Sequence, residues 1–213
     1  MRYNLSYNRL VAGMLLVISN FHFSANASPV PDDIELCGNS DEAMELAIAI
    51  MEDPAQQRPE IRCNGLLTAI AVDKAKRMAN EGIVFHNLGG SPNSRLREAG
   101  FQLPEYYGGA MSNQVEAIAG GYPSVGRVWR AFKNSETHAK HLLGQIPFYQ
   151  EQDEMGIAFI KDLSAPHVEY WVVYLTKGRV DNQRRYFDEV PNKGIDIVTE
   201  LTQPELQNDD EEQ

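Results

Sequence analysis

The sequence predicts an α+β domain built in layers. Helical patterns occupy much of the stretch from residue 41 to 144, and two strand patterns follow at 156–160 and 169–175. The second strand is apolar on both faces, so helices are expected to cover it from both sides. At 213 residues and 43% hydrophobic content, the chain has room for one full core plus tails.

The first 27 residues stand apart from that core. Arg2 and Arg9 precede an apolar run, Leu10 to Ile18, and Ala25-Asn26-Ala27 forms a small-x-small cleavage pattern. Residues 1–27 therefore read as a secretory signal peptide, its apolar part too short to span a bilayer. No cysteine follows the cut closely, so a lipid-anchored product is not expected. The expectation is a secreted protein, extracellular or periplasmic, with no transmembrane segment in the mature chain.

Thirty acidic against nineteen basic residues give a net charge of −11, and loss of Arg2 and Arg9 makes the mature chain more acidic still. Such a surface repels phosphate backbones and anionic headgroups, which argues against nucleic acid and leaves neutral lipid open. Cys37 and Cys63 both lie beyond the cut. An even pair in an exported chain is most simply one disulfide, stabilising by about 3 kcal/mol. A redox pair is the weaker alternative, because no C-x-x-C is present.

Residues 28–38 are rich in Pro and Asp and read as an extended arm. Asn39 to Glu42 offer a cap for a helix to about Met51, with Met44, Ala47, Ile48 and Met51 on one face. Prolines 54 and 59 break the pattern. Asn64-Gly65 introduces a second helix, Leu66 to Asn80, whose stripe runs Leu67, Ile70, Ala71, Lys74, Met78 and stops at Gly82. A short apolar segment ends at His86 and turns at Asn87 to Gly90. Ser91 to Gly100 reads as a short capped helix, and Pro104 to Gly109 as loop.

Ser112 to Gly144 carries the candidate site. Glu116 sits in a small-residue apolar run, where a buried carboxylate needs a partner. Pro123-Ser124 starts a helix with Val125, Val128, Trp129 and Phe132 on its inner face. Ser135 is expected to cap the next helix, which places His138 in the first turn, where the dipole favours neutral imidazole. His141 lies one turn on and is expected to be peripheral. His167 falls in the loop 161–167 and reads as a surface residue. Residues 179–203 form a polar C-terminal extension with an alternating pattern at 195–199, and 204–213 an acidic disordered tail.

The order of these segments resembles the CAP superfamily (cysteine-rich secretory, antigen 5 and pathogenesis-related proteins), in particular its bacterial SCP-like extracellular branch. Bacterial members typically read L-x2-A-x3-A-x2-M-A, then H, then R-L-x-x-A-G-Y/F. They continue with G-E-N-I-A-x-G, S-P-G-H-x-x-N-L-L, E-I-G-V-G and a Y-W strand. The matching stretches here are Leu67 to Ala79, His86, Arg95 to Phe101, Val115 to Gly121, Ser135 to Leu143, Glu154 to Ala158, and Tyr170-Trp171. The resemblance implies that residues 39–178 are a CAP/SCP-like domain, a three-layer α-β-α sandwich with a central antiparallel sheet. It also implies a cleft lined by His86, Glu116 and His138, with Ser135 beside it. The pattern departs from the family at Val115 and Ala117, which replace the G and N around the glutamate. It departs again near Phe132, where animal members have a second acid, and at His141, which stands at the asparagine position.

Two functions follow as expectations. The first is a non-catalytic, monomeric module that takes a lipid, sterol or other small molecule, or another secreted or surface protein. The second is a divalent-metal hydrolase in which His86 and His138 hold zinc and Glu116 is the base. A serine nucleophile at Ser135 is disfavoured, because its expected role is capping and no Gly-x-Ser-x-Gly elbow is present.

Overall fold

The computed structural model describes residues 33–109 and 112–178. The expected signal peptide, residues 28–32 of the expected arm, the C-terminal extension and the acidic tail lie outside the described residues.

The chain runs α1 (Asp41–Met51), β1 (Arg62–Cys63), α2 (Gly65–Glu81), α3 (Pro92–Glu98) and β2 (Glu116–Gly120). It continues with α4 (Val125–Asn134), α5 (Glu136–Leu142), α6 (Pro147–Gln150), β3 (Glu154–Lys161) and β4 (Glu169–Thr176). In the arm, expected to be extended, Ile34–Leu36 instead make one 3-10 turn. The apolar run around Glu116 is strand β2, the expected polar loop after α5 holds α6, and Arg62–Cys63 adds a short strand.

The strands order as β1-β3-β4-β2. β4 is antiparallel to both β2 and β3, as the family resemblance implies, while the two-residue β1 pairs parallel to β3 and makes the sheet mixed. β4 is buried along its whole length and separates two cores. Trp171, Val173 and Leu175 join Ala117, Ala119, Ile157 and Phe159 beneath α1, α4 and α5. Tyr170, Val172 and Tyr174 join Ile118 and Ala158 beneath α2 and α3. Period-two alternation thus sends every second side chain to an opposite helical layer, giving the expected three-layer α+β fold.

Local signals explain the helix ends. Ser40 accepts from Ala43 N, Asn64 from Leu66 and Leu67 N, and Ser91 from Ser94 N. Gly82 ends α2 in the left-handed conformation, φ 68°. The disulfide joins Cys37 to Cys63, and Cys37 O accepts from Ile157 N at 2.7 Å, so the segment before α1 is fixed to the sheet edge.

α2 lies very close to β3, and Gly156 permits it. A Cβ there would stand 2.2 Å from Thr68 N and 2.4 Å from the Leu67 carbonyl carbon, both backbone atoms. Gly156→Ala is therefore expected to force α2 off the sheet and destabilise by about 3 kcal/mol or more, read by chemical denaturation.

Candidate functional site

The site begins with a lysine in an apolar stripe. Lys74 falls on the inner face of α2 between Ile70 and Met78, and its side chain is fully buried. Nζ donates to Phe85 O at 2.6 Å and His86 O at 2.7 Å, with Leu88 O at 3.5 Å. Burial pushes its pKa down, and the nearby Glu116 charge opposes that shift. Arg95, from α3, holds the same segment from its other end, donating to Leu88 O, Gly89 O and Asp73. Two enclosed cations thereby fix the path of residues 85–89. His86 is delivered by that path.

His86 and Glu116, distant in sequence, meet at 2.8 Å between Nδ1 and Oε1. A carboxylate can only accept, so Nδ1 carries the proton and Nε2 is the other ring nitrogen. The second carboxylate oxygen accepts from Tyr174 OH at 2.6 Å. Glu116 and Tyr174 are directly paired across β2 and β4, so the sheet register brings them together. Burial, followed by the Glu116 charge, raises the Tyr174 pKa well above its ordinary value, so it remains a donor. The Glu116 side chain is fully enclosed, whereas that of His86 is 38% exposed.

Asn113 supports the backbone on which Glu116 sits. Its Oδ1 accepts from Glu116 N at 3.0 Å and Val115 N at 3.3 Å, an Asx turn leading into β2. Its amide nitrogen donates to Glu116 O at 3.2 Å and lies 3.1 Å from His86 Nδ1. That last approach is a contact, since the Nδ1 proton is engaged by the carboxylate.

The remaining candidates take different places. His138 packs edge-on against Phe132, ring centroids 5.1 Å apart. Burial lowers its pKa and the nearby His86 adds to the effect, which favours neutral imidazole. His141, expected to be peripheral, is buried and donates through Nε2 to Leu175 O at 2.9 Å. Leu175 lies on β4 just beyond its register with β2, and the ring gives that carbonyl a donor. His167 is exposed, as expected. Ser135 occupies the N-cap position of α5 but makes no side-chain capping bond. It lines an open groove of about 630 Å³ together with residues of α4 and the β2–α4 connection, and His86, Glu116 and His138 are not among the groove's walls. Among the described residues no three His, Cys, Asp or Glu side chains stand together as a metal-binding group.

The chain is thus a layered α+β domain with a hydrogen-bonded His–Glu–Tyr site at the α2 side of its sheet. No protein-family model matches it, and no curated protein does. Among solved structures it is similar to an outer surface protein from Borrelia burgdorferi, with 21% identity and a TM-score of 0.44 over 63% of this chain and 88% of that one. No helix among the described residues is long and apolar enough to cross a membrane.

Burial pushes the His141 pKa from 6.5 down to about 3. Between those values the unfolded chain takes up a proton that the folded ring refuses. Stability is therefore intact above pH 6.5 and falls on acidification by about 1.4 kcal/mol per pH unit from this residue alone. In urea denaturation at stepped pH, His141→Gln, which keeps an amide donor, is expected to show a slope shallower by about that amount.

Proposed function

We propose that the chain is a secreted CAP/SCP-like module that binds a ligand without turning it over. The observation that carries this reading is the state of Glu116. Both carboxylate oxygens are engaged, one by His86 and one by Tyr174, and the side chain is enclosed. A general base has to reach the proton it removes, and this one is turned inward. Glu116 orients the imidazole instead. What the site offers outward is the His86 ring, with Nε2 free of hydrogen-bond partners among the described residues, on a segment whose Phe85 and Ile83 side chains are also exposed.

An acceptor nitrogen beside exposed apolar groups suits a ligand with a hydroxyl on a hydrophobic body, such as a sterol or hydroxylated lipid. The order of motifs from Leu67 to Trp171 supports the family, and the signal-peptide pattern and the disulfide support export. The zinc-hydrolase reading needs three protein ligands and a free base. His86 and His138 supply at most two imidazoles, and Glu116 is not free.

Thermal shift and calorimetry with a panel of sterols and hydroxylated lipids test the proposal. A saturable ligand is expected to stabilise by about 2.7 kcal/mol at a free concentration about 100 times its Kd. His86→Ala is expected to abolish the effect. No shift across the panel, together with Zn²⁺ binding that disappears in the His86→Ala/His138→Ala double variant, would reverse the order of the two readings.

A further inference from the structure

α4 presents an anomaly on an acidic protein. Its sequence, VGRVWRAFKN, holds three cations and no acid, in a chain of net charge −11. Lys133 is neutralised by Asp53 at 2.8 Å. Elsewhere Arg62, Arg77, Arg95, Lys140, Lys161 and Lys177 each reach a carboxylate. Arg127 and Arg130 have no such partner among the described residues. Both are exposed, and both line the 630 Å³ groove between α4 and the Gly121–Pro123 connection.

The groove's composition extends the pattern. Arg127, Arg130, Ala131 and Asn134 recur at helical spacing, so they form one stripe along the outer face of α4. Tyr122 and Ala131 give that groove an apolar component, and Ser135 adds a hydroxyl not used for capping. Unpaired guanidinium groups one turn apart, beside an amide, a hydroxyl and an aromatic ring, match an anion carried on an apolar body.

We propose that this groove is a binding site for a small organic phosphate, with Arg127 and Arg130 on the phosphate oxygens and Tyr122 against the organic part. A phosphate is favoured over a carboxylate by the donor count. One arginine fork suffices for the two oxygens of a carboxylate, whereas a phosphate monoester offers three non-bridging oxygens and close to two negative charges. The overall acidity of the protein repels anions, a doubly charged phosphate included, so binding depends on this local cation cluster. The site does not include His86 or Glu116, and the proposal does not rest on the function assigned to them.

The test uses the whole mature protein and phenyl phosphate as probe, with inorganic phosphate and benzoate as comparisons. Amide chemical shifts are expected to move saturably at residues 121–135, with phenyl phosphate binding more tightly than either comparison compound. Arg127→Ala/Arg130→Ala is expected to weaken binding by roughly tenfold or more. Because both side chains are exposed, the melting temperature of that variant should match the wild type. His86→Ala should leave phenyl phosphate binding as it was. Absence of a saturable shift, shifts centred elsewhere, equal binding of benzoate, undiminished binding by the double-arginine variant, or loss of binding in His86→Ala would each overturn the proposal.

Discussion

An ammonium group enclosed by backbone carbonyls determines the form of this site. Removing an isolated lysine charge from water costs several kcal/mol even after relaxation. At Lys74 that cost is offset by charge-assisted hydrogen bonds to Phe85 and His86, each worth about 1.5–3 kcal/mol, and by the nearby Glu116 charge. The carbonyls gain as much as the lysine does, since residues 85–88 lie outside any helix or strand and have no ladder to supply their donors. Loop and helix are therefore interdependent. α2 places the charge, and the charge gives the loop one conformation.

The sheet supplies the other half of the site. β2 and β4 pair in a register that sets Glu116 opposite Tyr174, and Tyr174 faces the α2 layer. A slip of one residue would send the carboxylate into the core under α1 and α4, where Ala117 now sits. The close approach of α2 at Gly156 fixes the helix that carries the lysine to residues 85–88. Helix packing, strand register and the buried charge thus converge on one imidazole whose proton is held on Nδ1.

Much of the architecture was legible in the residues. The α2 stripe, the two-faced strand β4 and the helix at Val125 each follow a hydrophobic period that tertiary packing reinforces. The apolar run around Glu116 called for a partner if the carboxylate was buried, but only the resemblance in motif order suggested His86 for that place. Other features depend on geometry that periodicity does not encode. Ser135 has the right residue type and position for a cap, yet its hydroxyl borders a groove. His141 reads as peripheral, yet its ring is buried on the carbonyl of Leu175. Asn113 acts through a local turn with no periodic signature. Lys74 did leave a trace, as the one charged residue in an apolar stripe.

The central claim is that the enclosed ammonium of Lys74 holds the loop so that Glu116 fixes the tautomer of His86. Imidazole nitrogen NMR, at a pH where the ring is neutral, reads that tautomer directly. The account predicts a wild-type His86 protonated on Nδ1. It further predicts that Lys74→Met, with its helical signal intact, reverts toward the Nε2-protonated form that free imidazole prefers. A wild-type ring already protonated on Nε2, or an Nδ1 proton that persists unchanged in Lys74→Met, would contradict it.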